Sequence, residues 1–568
     1  MSDSPQTATV GAVIAAFLER CGVQAAFGVI SIHNMPILDA FNDRGKVRFV
    51  PARGEAGATS MADAYARTRG SLGVCITSTG TAAGNAAGAM VEALTAGTPL
   101  LHLTGQIETP YLDQNLAYIH EAPDQLTMLK AVSKAAFRIR SVDTALSTLK
   151  LAVQTALAAP SGPVSVEIPI DIQAALTTMP ADLSPLPVPP AEPLSGTVDA
   201  LADRLARARR PLLWLGGGAR HAGAAVQRLL ALGFGVVTST QGRGIVPEDH
   251  PRSLGAYNLH KPVEAFYGTC DAMLVVGSRL RSNETLKYEL ALPQPLYRID
   301  ADPSAEGRCY ASDLFVCGDA AVTLHALADR LESRLSVDPQ FGDDLARVRR
   351  TAEAALLEGL GPYAGLVNAL QQRVGRDFHW VRDVTVSNST WGNRQLKIFD
   401  PRAGVHALGG GIGQGLAMGI GAALGASVAA AQGEAAKKTW VLAGDGGFIL
   451  NLGELATAVQ ERADMVIVLM NDRGYGVIKN IQDAQYGGRR CYVDLHTPDY
   501  ALLCQSIGLA HRRAGTQAEI DAAVEAAAAH RGPFLLEVDM LALGPFKAVF
   551  AGPPVNPTAS TPAVGAGS

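Results

Sequence analysis

Short apolar runs alternating with alanine-rich helical stretches recur along this chain, and few folds accommodate that alternation. The runs lie at residues 72–78, 99–104 and 164–169, then at 211–215, 235–239, 271–277 and 296–300, then at 380–386, 439–443, 465–471 and 534–538. Strands that alternate with helices pair in parallel, because each crossover helix returns the chain to the same edge of the sheet. The predicted class is α/β, with three doubly wound parallel-sheet domains in series. The segment 180–196 is dense in proline and reads as a stiff linker. Residues 1–179 then form the first domain, 197–335 a central domain and 336–552 a third. The second boundary falls somewhere in the charged helical stretch 331–358. The last segment, 553–568, is Pro, Ala, Gly, Ser and Thr with two Val and one Asn, and is expected to be disordered.

Composition narrows the function classes. A chain of 568 residues suggests about three to four domains. With 48% hydrophobic and 18% charged residues, it has the makings of large buried cores. A net charge of -5 with no basic block argues against a nucleic-acid partner. The 7 cysteines are odd in number and contain no Cys-x-x-Cys, so neither a disulfide framework nor a zinc site is expected. No run is long and charge-free enough to span a bilayer. The polar opening Met1 to Thr9 lacks a secretory signal pattern, so a cytoplasmic protein is expected.

Two of the apolar runs end in oxygen-bearing side chains. One leads into Gly444-Asp445-Gly446-Gly447, the other into Asn471-Asp472-Arg473-Gly474-Tyr475. In an open parallel sheet, ligands bind beyond the carboxyl ends of the strands, so these groups should converge there. Carboxylate and carbonyl oxygens with positions left open for phosphate oxygens suit Mg²⁺. The pair therefore reads as a magnesium–diphosphate site. Either turn alone is equally compatible with a solvated loop.

Gly-Asp-Gly, then a helix, a strand and an Asn-Asn-like pair resembles the signature of thiamine-diphosphate-dependent enzymes, among them acetolactate synthase, benzoylformate decarboxylase and pyruvate decarboxylase. The resemblance covers nearly the whole chain up to the tail. It implies a pyrimidine-binding first domain, a central domain and a diphosphate-binding third domain. It implies that Asp445 and Asp472 bind Mg²⁺ by side chain and Gly474 by its carbonyl, with Gly444, Gly446, Gly447 and Tyr475 around the diphosphate. Where the family usually carries Asn, Asp472 adds a negative charge beside an anionic ligand. Arg473 is the adjacent candidate to offset it.

The segment Arg53-Gly54-Glu55 followed by Asp63-Ala64-Tyr65-Ala66-Arg67 resembles the family's catalytic-acid region, with Gly54 in place of the usual histidine. The resemblance makes Glu55 the group that protonates the aminopyrimidine ring, a task that needs shelter from water. Read without the family, Glu55 is a first-turn glutamate that favours its helix dipole. The glycine-rich run 406–419 resembles the turn that bends the cofactor, with Ile412 as the wedge and the Gly410 carbonyl facing the pyrimidine amino group. Ser387 to Thr390 should open a helix, where Ser389 and Thr390 either face the diphosphate or simply cap the helix.

The pocket is less distinct. By resemblance Ile32, His33 and Asn34 line it from the first loop, Ser78 and His120 from the next two, and Val477 and Ile478 from beyond the metal. His33 and His120 are either substrate contacts or structural histidines. In the central domain the Gly216-Gly217-Gly218 cluster is weak evidence for a nucleotide, and bound flavin is not expected.

The resemblance implies decarboxylation of a 2-oxo acid, with or without transfer to a second carbonyl acceptor as in acetolactate synthase, dependent on thiamine diphosphate and Mg²⁺. It implies a homodimer or homotetramer with active sites between subunits. The alternatives are an acyl-CoA lyase or oxalyl-CoA-decarboxylase-type enzyme, which would bind ADP or CoA in the central domain, and a non-catalytic homologue.

Overall fold

The computed structural model describes residues 7–550 and 552. The segment 553–568, expected to be disordered, lies outside them. The first domain holds β1 (Thr7–Thr9), β2 (Ala25–Gly28), β3 (Arg48–Pro51), β4 (Gly73–Thr77), β5 (Leu100–Gln106), β6 (Ala135–Arg138), β7 (Val164–Pro169) and β8 (Leu176–Thr178). β1 and β8 pair as an antiparallel ribbon. The other six form a parallel sheet ordered β3-β2-β4-β5-β7-β6. The central domain is a five-stranded parallel sheet of β9 (Pro211–Leu215), β10 (Gly235–Thr238), β11 (Ala272–Val276), β12 (Leu296–Asp300) and β13 (Leu314–Cys317), ordered β10-β9-β11-β12-β13. The third is a six-stranded parallel sheet of β14 (Phe378–Arg382), β15 (Gly404–His406), β16 (Lys438–Gly444), β17 (Met465–Asn471), β18 (Ala510–Ala514) and β19 (Phe534–Asp539), ordered β15-β14-β16-β17-β19-β18.

Interior strands such as β17 are buried along their whole length, which is why they appear as unbroken apolar runs. The run 380–386 does not continue as a strand: β14 ends at Arg382. The Asp383 amide still donates to the Leu442 carbonyl of β16 at 2.9 Å, and its carboxylate accepts the Gly413 amide from a neighbouring turn. The helix Phe341–Gly359 packs Phe341 and Leu345 on the central core, while Leu356 also reaches the core of the third domain. Residues 179–194 adopt neither helix nor strand.

The first and third domains share one apolar core, to which Phe27, Met61 and Tyr65 contribute from one side and Leu416, Val441 and Ile467 from the other. Its centre is the contact between the helices Glu55–Arg69 and Gly415–Ala431. They approach so closely that a Cβ on Gly421 would lie 2.0 Å from the Met61 carbonyl oxygen. A buried ionic network crosses the same boundary. Arg67 pairs with Asp63 at 2.5 Å and Glu92 at 3.0 Å, and donates to the His406 carbonyl at 2.8 Å. Glu92 in turn accepts the amides of Leu408 at 2.7 Å and Gly409 at 2.5 Å.

Removing one member of a buried ionic network leaves its partners desolvated and unpaired. Glu92→Ala is therefore expected to destabilise the protein by about 3–5 kcal/mol. Urea denaturation with the conservative Glu92→Gln as reference measures this, and an unchanged midpoint for Glu92→Ala would contradict the role of the network.

Candidate active site

The carboxyl ends of the adjacent strands β15, β14, β16 and β17 bring four turns onto one surface. After β16, Gly444 and Gly446 flank Asp445, the first residue of the short helix Asp445–Phe448. Asp445 is fully buried. Its carboxylate accepts the Gly474 amide at 2.9 Å and the Asp472 amide at 3.3 Å, so the turn after β17 folds directly onto it. Burial and then the neighbouring Asp472 push the Asp445 carboxyl up to about 7. Burial also raises Asp472 above the usual carboxylate range. Two carboxylates held together in a dry pocket repel, and a cation between them relieves that repulsion. Among the described residues no cluster of three or more His, Cys, Asp or Glu side chains is placed to hold a metal. Asp445 and Asp472 are then the carboxylates available to a cation here, with backbone carbonyls and a ligand's own oxygens for further positions. That donor set fits a hard cation carried with a diphosphate.

The turn after β15 rests on this one. A Cβ on Gly447 would lie 3.0 Å from the Gly413 amide nitrogen, so the two turns are in close contact and a side chain there would push them slightly apart. Gly410 and Gly413 take left-handed φ values of 84° and 86°, and between them Ile412 stands partly exposed. Asp383 fixes the far end of the turn, accepting the Gly413 amide at 3.0 Å. Burial pushes its carboxyl up to about 6 against the opposing pull of those amides. Asn451 donates to the Gly413 carbonyl at 2.7 Å.

The turn after β14 departs from expectation. Ser387 to Thr390 do not open a regular α-helix but enter a single π-helical turn, Asn388–Gly392. The Thr390 hydroxyl donates back to the carbonyls of Val386 and Ser387 at 3.0 Å, leaving its lone pairs to accept rather than its proton to give. Ser389 is half-buried beside it. Ser387 Oγ and Asn388 Oδ1 are buried without a hydrogen-bond partner among the described residues. Beyond β17, Tyr475 packs beside Gly446, Val477 is half-buried and Ile478 is exposed.

The first-domain residues form a second group. Glu55 opens its helix half-buried, and Asn85 donates to its Oε2 at 3.1 Å. His33 is buried, 3.4 Å from Ser78 Oγ through Nδ1, and meets the His120 ring edge-to-face at 5.2 Å between centroids. Burial and then His120 lower the His33 imidazole below its ordinary value, with Glu108 opposing. His120 itself is exposed on a loop in a left-handed conformation. Asn34 is occupied in closing its own turn, accepting the Ser31 amide at 2.8 Å and donating to Val29 O at 2.9 Å. Ile32 is exposed beside it. No hydrogen bond or ion pair links Glu55 to Asp445 or Asp472 among the described residues.

Arg473 is not the cation that offsets Asp472. It is exposed and forms no ion pair among the described residues. Lys479 occupies that place, on the amphipathic helix Gly476–Gln485 one turn further on. Its ammonium lies 3.2 Å from the Asp472 carbonyl oxygen and 3.9 Å from Oδ2. The segment Gly84-Asn85-Ala86 locally resembles benzoylformate decarboxylase, but the contact of Asn85 with Glu55 was missed, as were Asp383 and Glu92. Asp383 carried a signal: a charge inside an apolar strand run has to find a buried partner.

A cleft of about 870 Å³ opens where the central domain faces the first domain and the linker. Gly217, Gly218, Arg220, Arg281, Asp300 and Arg308 line it.

With this geometry in place, comparison with known proteins is informative. Residues 8–128 match the thiamine pyrophosphate enzyme N-terminal TPP binding domain. Residues 198–327 match the central domain of the same enzymes and 385–538 the C-terminal TPP binding domain. A probable 2-ketoarginine decarboxylase of Pseudomonas aeruginosa is 30% identical over 539 residues, covering 94% of either chain. A probable acetolactate synthase large subunit of Methanocaldococcus jannaschii is 27% identical, covering 92% of this chain and 90% of its own. The acetolactate synthase isozyme 2 large subunit of Escherichia coli is 28% identical, covering 92% and 94%. No helix among the described residues is long and apolar enough to cross a membrane. Three parallel-sheet domains in this order, the strand-end turns around Asp445 and these matches have one common meaning: the chain belongs to the thiamine pyrophosphate enzyme family and is a thiamine-diphosphate-dependent enzyme.

Proposed function

We propose that this enzyme uses thiamine diphosphate with Mg²⁺ to decarboxylate a 2-oxo acid, and either releases the aldehyde or transfers the two-electron-rich fragment to a second carbonyl compound. The observation that carries this reading is the buried pairing of Asp445 with the Asp472–Gly474 turn beneath the turn of Ile412. When bound, thiamine diphosphate supplies the carbon nucleophile and electron sink for loss of CO₂.

The protein's part is to bind, orient and exclude water. Asp445, Asp472 and the Gly474 carbonyl would hold the metal. The backbone at Gly444, Gly446 and Gly447, with Ser389, Thr390 and Tyr475, would surround the diphosphate. Ile412 and the Gly410 carbonyl would receive the pyrimidine end. Glu55, oriented by Asn85, would supply a proton to the pyrimidine ring. Glu55 is half-buried in one protomer, and a second protomer's third domain would complete its shelter. The working unit is then a homodimer, or a homotetramer of two such dimers, in the cytoplasm. His33 and His120, with Ser78, form the polar wall of the substrate pocket. Ile32, Val477 and Ile478 form the apolar one, while Asn34 shapes the loop.

The relatives differ in substrate, so the test is a panel. CO₂ release is measured from pyruvate, 2-ketoarginine, benzoylformate and branched 2-oxo acids, with cofactor and metal omitted in turn. Release that needs both supports the proposal, and products analysed with and without an added aldehyde separate decarboxylase from carboligase. A second reading is favoured by the arginine-lined central cleft, which suits ADP or CoA. Turnover of acyl-CoA substrates with no CO₂ from free 2-oxo acids would select it.

A further inference from the structure

The turn after β17 carries a charge balance that the proposed metal–diphosphate end depends on. Asp445 and Asp472 lie together at the buried end of the sheet, and any diphosphate placed there adds further negative charge. Among the described residues the only Lys or Arg paired with either carboxylate is Lys479. Its side chain is mostly buried, and its ammonium sits 3.2 Å from the Asp472 carbonyl oxygen, 3.9 Å from its Oδ2 and 3.2 Å from Asp494 Oδ1. Asp494 is itself largely exposed and belongs to the segment that bridges back to Gly474. The ammonium is so close to the turn that a Cβ on Gly474 would lie 2.4 Å from it. The cation therefore lies against the backbone of the turn, not out in solvent.

We propose that Lys479 is a positioning residue that neutralises Asp472, setting the site to accept a metal together with an anion and not a bare cation. This rests on the metal–diphosphate reading of the site. It has a consequence in opposite directions. Without the ammonium the site is more negative, so free Mg²⁺ binds more tightly while the anionic magnesium–pyrophosphate complex binds less tightly. Without the Asp472 charge, both trends reverse.

The experiment titrates the protein with Mg²⁺ alone, with inorganic pyrophosphate in excess Mg²⁺, and with thiamine diphosphate in excess Mg²⁺, by calorimetry. The proteins are wild type, Lys479→Met, Asp472→Asn and the double variant. Lys479→Met is expected to weaken pyrophosphate binding by roughly 5- to 20-fold, as for a charge pair that is mostly but not wholly buried. The same variant should bind Mg²⁺ alone at least as tightly as wild type. Asp472→Asn should weaken Mg²⁺ alone, and adding it to Lys479→Met should restore pyrophosphate affinity. Equal losses for Mg²⁺ and pyrophosphate in Lys479→Met, or no rescue in the double variant, would overturn the proposal, since a merely structural lysine predicts that outcome. If Lys479→Met does not fold, the Asp472→Asn signs decide alone. Wild type that binds no thiamine diphosphate would instead overturn the reading of the site itself.

Discussion

Glu55→Gln is expected to cut turnover by about 10²–10⁴-fold, the usual contribution of a positioned proton donor. The substitution keeps the shape of the side chain and an acceptor for the Asn85 amide, which lies 3.1 Å from Oε2. What it removes is the exchangeable proton. In the proposed function Glu55 would supply a proton to the cofactor's pyrimidine ring, and the bound cofactor would supply the carbon nucleophile. An amide cannot take part in that exchange. The proposed metal ligands Asp445 and Asp472 lie on the third domain, and no hydrogen bond ties Glu55 to either among the described residues. Affinity for the metal–diphosphate moiety should therefore fall far less than turnover. The glutamine variant should also keep the helix contact that joins the first and third domains, because that contact is made by Met61, Tyr65 and their neighbours. Steady-state kinetics beside calorimetric cofactor binding separates the two effects. Turnover within a few-fold of wild type would end the assignment.

Asn85→Ala provides an independent measure of the same group. Losing one hydrogen bond to a half-buried carboxyl should lower turnover by about tenfold, the equivalent of a charge-assisted bond of about 1.4 kcal/mol. Turnover unchanged from wild type in Asn85→Ala would show that this hydrogen bond does not orient Glu55.

How much of this site was legible in sequence follows from how far each residue's partner lies along the chain. β16 and β17 could be read because strands buried on both faces have no polar positions to interrupt them, and the turns that follow carry Asp445 and Asp472 within a residue or two of the strand end. Edge strands were harder. β18 contains His511, Arg512 and Arg513, with the two arginines exposed, and β3 is four residues long, so neither shows an apolar run. Glu92 sits in an otherwise ordinary alanine-rich helix, and nothing local distinguishes it from a solvated glutamate until the third domain supplies the amides of Leu408 and Gly409. Lys479 is hidden for a different reason. A lysine on the polar face of an amphipathic helix is the commonest of surface residues, and only the fold of the Gly474 turn places it against Asp472. His33 and His120 belong to separate loops, and their ring contact exists only once β2 and β5 are neighbours of β4.

Metal binding should depend on pH in a direction fixed by Asp445. Its carboxyl is raised from the ordinary range near 3.8 to about 7 in the fold, by burial first and Asp472 second. Between about pH 4 and 7 the folded protein therefore holds a proton that the unfolded chain has lost. For that group, stability without metal is highest at low pH and falls as pH rises through this window, with a total loss of order 2–4 kcal/mol. Mg²⁺ takes the proton's place, so metal affinity should climb by up to about tenfold per pH unit below 7 and level off above it. Thermal midpoints with and without magnesium and thiamine diphosphate, at pH 5.5 and pH 8, should show the larger ligand-induced rise at pH 8. Asp445→Asn removes both the repulsion and the ligand. Its apo form should be as stable as wild type or more so at pH 8, yet it should lose at least about 10²-fold in metal-dependent cofactor affinity. Calorimetry in buffers of different ionisation heats should find proton release on metal binding to wild type at pH 6 and none to the variant. A ligand-induced rise that is the same at both pH values, or an apo Asp445→Asn that is less stable than wild type at pH 8, would mean that Asp445 is a structural carboxylate and that the cation is held elsewhere.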